Sequence, residues 1–145
     1  MNSPIDMDDY TSILAHIRML GRRLAPRIED DLPALLGQRA PSGLRRVADA
    51  ARIGRLHAGY GRDMLPVIIV ACDRAIEDGI STVGDWIEVG CNDGGVDWDW
   101  RETEVISETA REIVPIRRDV QMIVTLLDRI DDLVAAQRDF ADLRL

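Results

Sequence analysis

Residues 103–145, TEVISETAREIVPIRRDVQMIVTLLDRIDDLVAAQRDFADLRL, decide how this chain folds. Counting sevens from Ile106 lands on Ile113, Val120, Leu127, Val134 and Ala141, and the positions three further on are Thr109, Ile116, Ile123, Ile130 and Gln137. Nine of these eleven positions are apolar, the repeat of a helix that buries one side. Leu126, Leu133 and Phe140 widen the stripe, which suits a helix packed by several neighbours better than a two-position seam. Pro115 lacks a backbone donor and its ring clashes one turn back, so a kink or short break is expected there, followed by a helix over 116–143. At about 1.5 Å per residue that helix is roughly 40 Å long, the length of a small domain.

Residues 80–102, just before it, break the helical texture. Ser81 is placed to cap a short helical turn through Val83. Trp86-Ile87-Glu88-Val89 and Val96-Asp97-Trp98-Asp99-Trp100 then flank the turn-rich stretch 90–95. The second run alternates strictly, with Val96, Trp98 and Trp100 on one face and both aspartates on the other, so a β-hairpin is expected over about 86–100. All three tryptophans, half of the six aromatic residues, fall within these fifteen residues. They form either a lid on the core or a binding surface.

Upstream, the three-and-four spacing of Tyr10, Ile13, Leu14, Ile17, Leu20 and Leu24 predicts a first helix capped by Asp8 or Asp9. Pro26 ends or bends it, while Ile28, Leu32, Leu35 and Leu36 carry the stripe on to a stop at Gly37. Ser42 is the cap candidate for a second helix with Leu44, Val47, Ala48 and Ala51 inward. After a glycine-punctuated connection over 57–62, Asp63 caps a third, whose inner face holds Leu65, Ile68, Ile69, Cys72, Ala75 and Ile76 and which Asp78-Gly79 closes. The β-branched run at 67–70 also suits a buried strand, but the polar residues that follow keep helical spacing. The fold class is therefore mainly α: a single domain over 1–145, a bundle of four to five helices with a long C-terminal helix and one inserted β-hairpin.

A chain of 145 residues with 46% hydrophobic and 30% charged residues can bury a real core without staples. Two cysteines make neither a disulfide framework nor a metal spacing. The start of the chain, MNSPIDMDDY, lacks the basic and apolar regions of a signal peptide, and the longest apolar run, 65–72, is too short to cross a bilayer, so a cytoplasmic protein without membrane contact is expected. All eighteen basic residues are arginine, as codon bias in a GC-rich genome produces. Residues 10–62 carry a balance of +6 and residues 63–145 one of −11, so the two parts either neutralise each other within the fold or present two faces to two partners.

Residues 47–54, Val47-Ala48-Asp49-Ala50-Ala51-Arg52-Ile53-Gly54, resemble the first helix and turn of helix-turn-helix DNA-binding proteins. The resemblance implies a small DNA-binding regulator over 44–62, in which Arg45, Arg46, Arg52, Arg55 and Arg62 would contact phosphates. An Ala-rich bundle helix accounts for the same letters. The acids Asp93, Asp97, Asp99, Glu102 and Glu104 could gather around a divalent cation, although their spacing does not follow the twelve-residue calcium loop. A Cys91 with His57 nucleophilic pair lacks an orienting residue and an oxyanion hole in the local sequence. A metal- or cysteine-dependent enzyme is thus the third function class, and no cofactor is expected. The first is a non-enzymatic module that binds another protein through Trp86, Trp98, Trp100, Asp97 and Asp99, as an acidic inhibitor or immunity-type protein covering a basic surface would. The wide stripe of the last helix also leaves room for a homodimer.

Overall fold

The computed structural model describes residues 7–143 apart from residue 93. Helix α1 (Met7–Pro26) passes through one π-helical turn (Arg27–Asp31) into the short α2 (Leu32–Leu36), and a 3-10 turn (Gly37–Arg39) follows. Helices α3 (Leu44–Arg52) and α4 (Gly59–Asp78) precede strands β1 (Ile80–Asn92) and β2 (Gly95–Ile106), and α5 (Glu108–Leu143) closes the chain. The helical rods form a bundle around one core, and the two antiparallel strands form a sheet of their own.

The predicted stripes are the buried ones. Ile13, Ile17, Leu20 and Leu24 of α1, Leu65, Ile68 and Cys72 of α4, and Ile113, Ile116, Val120, Ile123, Leu127 and Ile130 of α5 meet in the core. The π turn falls between Pro26 and Pro33, with the Leu32 N–H bonded to the Arg27 carbonyl. Pro33 cannot donate to a carbonyl four residues back and its ring would strike it, so the helix widens by one residue just before it. The widened turn keeps Ile28 buried. It also aims Arg27 at Asp119 of α5 and Glu29 at Arg52 of α3, tying three rods together.

Several boundaries differ from expectation. Pro115 interrupts nothing: α5 runs unbroken for 36 residues, because Ser107 Oγ accepts the Ala110 N–H at 3.1 Å to start it and buried Ala110 and Ile113 anchor the turns before the proline. Ser42 does not cap α3. Gly43 does, at φ 90°, a left-handed conformation that favours glycine, and a Cβ there would also meet the Tyr60 hydroxyl. Asp63 is inside α4, which starts four residues earlier at Gly59. Asp8, one of the two cap candidates for α1, has a side chain outside the described residues, and α1 has begun by Asp9.

The largest difference is the hairpin. Ser81 starts no helical turn, since β1 begins at Ile80 and pairs with β2 from Ile80↔Ile106 to Asn92↔Gly95 with a bulge between Glu88 and Gly90. Twelve to thirteen residues per strand at about 3.3 Å each make a ribbon roughly 40 Å long. Its base is clasped where the Ser107 N–H donates to the Gly79 carbonyl at 2.8 Å, between the end of α4 and the start of α5.

Candidate interaction surface

Pairing places Trp86 directly opposite Trp100 and Glu88 opposite Trp98. Residues facing each other across an antiparallel pair share a face, and so do residues two apart on one strand, so the three indoles lie on one face with Val96. The Trp86 and Trp100 rings meet edge to face, centroids 5.4 Å apart at 67°. Trp100 also lies over Gly84, where a Cβ would sit 2.0 Å from its ring. A side chain at this position would push the Trp100 ring off the backbone it covers. Trp100 Nε1–H donates to Glu102 Oε1 at 3.4 Å.

The rings are not a lid. Trp86, Trp98 and Trp100 are 59%, 57% and 48% exposed. The opposite face exposes Val83, Ile87 and Val105 beside Asp97 and Asp99, and Val89 is exposed at the bulge. Both strands are exposed along nearly their whole length, so the ribbon stands off the bundle with apolar groups on both faces and its two outer edges unpaired within the sheet. An isolated two-stranded ribbon is marginal in water, and free edges invite pairing. Half-exposure of an indole leaves on the order of 100 Å² of apolar surface, worth about 2 to 3 kcal/mol per ring when covered. Over residues 80–106, seven acids and Arg101 give a net charge of −6. Arg101 is spent on neighbouring Asp99 at 3.4 Å.

The arginines of 44–62 are divided. Arg52 pairs with Glu29 and Asp49, and its hydrogen bond to Glu29 pushes its pKa further up. Arg62 pairs with Asp131 of α5, and that bond holds the Asp131 carboxyl below its ordinary range while raising Arg62. Arg45 reaches Glu29 at 3.7 Å and Arg46 lies over the Tyr60 ring at 4.5 Å. Arg55 has no carboxylate partner among the described residues. After α3 the chain does make a turn and a second helix, but the exposed side of α4 offers Asp63, Val67 and Val70.

Asp97 and Asp99 share one face of the ribbon and Glu102 and Glu104 the other, because each pair is two apart and the pairs are offset by an odd number. Among the described residues no group of three or more His, Cys, Asp or Glu is placed to hold a metal ion. Exposed Cys91 pairs across to Val96 near the outer end of the ribbon, whereas His57 lies in the turn between α3 and α4, so the fold does not bring them together. A groove of about 690 Å³ beside α4 exposes Val67 and Val70, but its rim of Arg39, Arg74, Glu77 and Asp78 cancels in charge. The stripe of α5 is covered by the other helices through Ile130, and beyond it Leu133, Val134 and Phe140 are half-buried and Ala141 is exposed. Among the described residues no helix is long and apolar enough to cross a membrane.

A further cluster was invisible in the sequence: Asp119 of α5, buried, faces Arg23 at 3.6 Å, Arg27 at 3.8 Å and Arg118 at 3.9 Å. Nothing in the stripe count marks it, since Asp119 follows two arginines on the flank of the apolar face. Comparison of the chain with protein families, curated proteins and solved structures gives no match.

Proposed function

We propose that this chain is a non-enzymatic protein-interaction module whose contact arm is the ribbon β1–β2 and whose target surface is basic. The observation that carries this reading is the exposure of Trp86, Trp98 and Trp100 on a ribbon of charge −6 that no helix among the described residues covers. Tryptophan is the residue type that most often dominates an interface, and acids around it select and steer a basic partner. In its finer form the reading is an inhibitor or immunity-type protein that occupies a basic surface of its target.

The test places a photo-reactive residue at position 98 and, as a control, at Arg111 on the exposed flank of α5. Irradiation in the native cell should give discrete adducts from position 98 and none from position 111. Identical patterns from both positions, or none from either, would remove the hairpin as a contact arm.

A further inference from the structure

We infer that the basic surface met by the ribbon belongs to a second copy of this chain, so that the protein assembles head to tail. This rests on the reading of the ribbon as a contact arm and adds the identity of the partner.

The complementary surface is on α1 and the turn after α3. Arg18, Arg22 and Arg55 are exposed and have no carboxylate partner among the described residues, and the two most exposed apolar side chains nearby are Met19 at 54% and Ile53 at 67%. The Arg18 side chain lies against Gly54, within 3.3 Å of where a Cβ would be, so α1 and the turn make one continuous surface. Its α1 side is a shallow depression of about 570 Å³ that includes Ala15 and Arg23. Basic and apolar here answers acidic and apolar on the ribbon.

Charge also decides against the simplest alternative. Two ribbons packed on each other would oppose −6 with −6, whereas a ribbon on the arginine surface pairs opposite signs. The base of the ribbon and the arginine surface lie at opposite ends of α4. The ribbon leaves where α4 ends, and the arginine surface flanks the turn that precedes the start of α4, about 30 Å away along its 20 residues. A contact between different patches on two copies is heterologous, and it propagates until a ring closes or a filament grows. Surface area fits as well. The chain exposes 9666 Å², against roughly 7,500 Å² for a compact monomer of its mass. The excess, on the order of 2,000 Å², comes from the protruding ribbon and is large enough for one arm contact and one surface contact of standard size per chain.

Sedimentation of the native chain, Trp98→Ala, and Arg18→Glu with Arg22→Glu tests this, with circular dichroism confirming that each is folded. The native chain should assemble at low salt and come apart at about 0.5 M salt, where exposed charges are screened. Each variant alone should associate at least tenfold more weakly. Mixed one to one they should recover a dimer, because the intact arm of the arginine variant fits the intact surface of the tryptophan variant. An arginine variant that assembles like the native chain would overturn head-to-tail docking, as would a native chain that stays monomeric at about 1 mM and low salt. In the monomeric case, a position-98 adduct with a different protein keeps the contact arm and removes only the second copy as partner. Retention of the native chain but not the arginine variant on duplex DNA would assign that surface to nucleic acid and overturn the inference.

Discussion

The two cysteines stand in opposite surroundings. Burial, with a smaller contribution from neighbouring Asp73, pushes the Cys72 thiol from its ordinary 9.0 up to about 11, while Cys91 is exposed on the ribbon. Below about pH 9 both folded and unfolded chains keep the Cys72 proton, and between 9 and 11 only the folded chain does. Its contribution to stability is therefore full below pH 9 and lost as pH rises through that window. Urea midpoints of the native chain should fall more steeply over this window than those of Cys72→Ala, and equal slopes would deny the burial. A thiol reagent at neutral pH should modify Cys91 at once and Cys72 only on unfolding. Asp119 tests the rods in the same way. Arg23 and Arg118 are largely exposed and can rehydrate when their partner goes, so Asp119→Ala should cost roughly 1 to 2 kcal/mol in urea unfolding, short of a fully buried pair. A cost near zero would mean the carboxylate links nothing.

Among the elements, α5 carries the core, and Ile123 and Leu127 are at its centre, 0% and 2% exposed. Ile123→Asp or Leu127→Asp should unfold the chain or make it aggregate, since either leaves an unpaired charge in the core. An unchanged helical melt by circular dichroism would displace α5 from that role. This helix was legible because its stripe repeats over many turns, and so were the inward residues of α1 and α4 and the alternation of β2 that put Trp98 and Trp100 on one face. What was not legible depends on partners distant in sequence. Residues 80–85 of β1, Ile-Ser-Thr-Val-Gly-Asp, have a weak pattern and are strand because β2 extends to Ile106 to pair with them. Gly43 caps α3 at a positive φ beside Tyr60, and the π turn answers to Pro33 and to ion pairs on two other helices. The sequence does not tell whether the tryptophans close the core, and only the ribbon's length beyond the bundle leaves them exposed. Of the arginine surface only Arg55 stands out in the sequence, within the helix-turn-helix-like segment: Arg18 and Met19 sit off the stripe of α1, and the fold alone sets them beside Ile53 and Arg55.

At the scale of the whole molecule, charge and shape are arranged together. The basic first third is partly neutralised inside the chain, by Arg62 with Asp131 and by Arg23 and Arg27 with Asp119, while the ribbon keeps a net charge of −6. With a net charge of −8 and Arg52 and Arg62 engaged, the native chain should not be retained on duplex DNA at low salt. Retention with a steep salt slope, weakened by Arg45→Ala with Arg46→Ala, would favour the helix-turn-helix reading instead. A tryptophan ribbon that serves as a contact arm and one that belongs to the core respond differently to loss of a ring. The most direct measurement pairs the unfolding free energy of Trp98→Ala with its association. A contact arm predicts stability within about 0.5 kcal/mol of the native chain and the loss of the partner, because an exposed ring away from the core leaves no cavity. A loss of about 3 to 5 kcal/mol, the cost of removing a buried aromatic ring, with association lost only through unfolding, would contradict it.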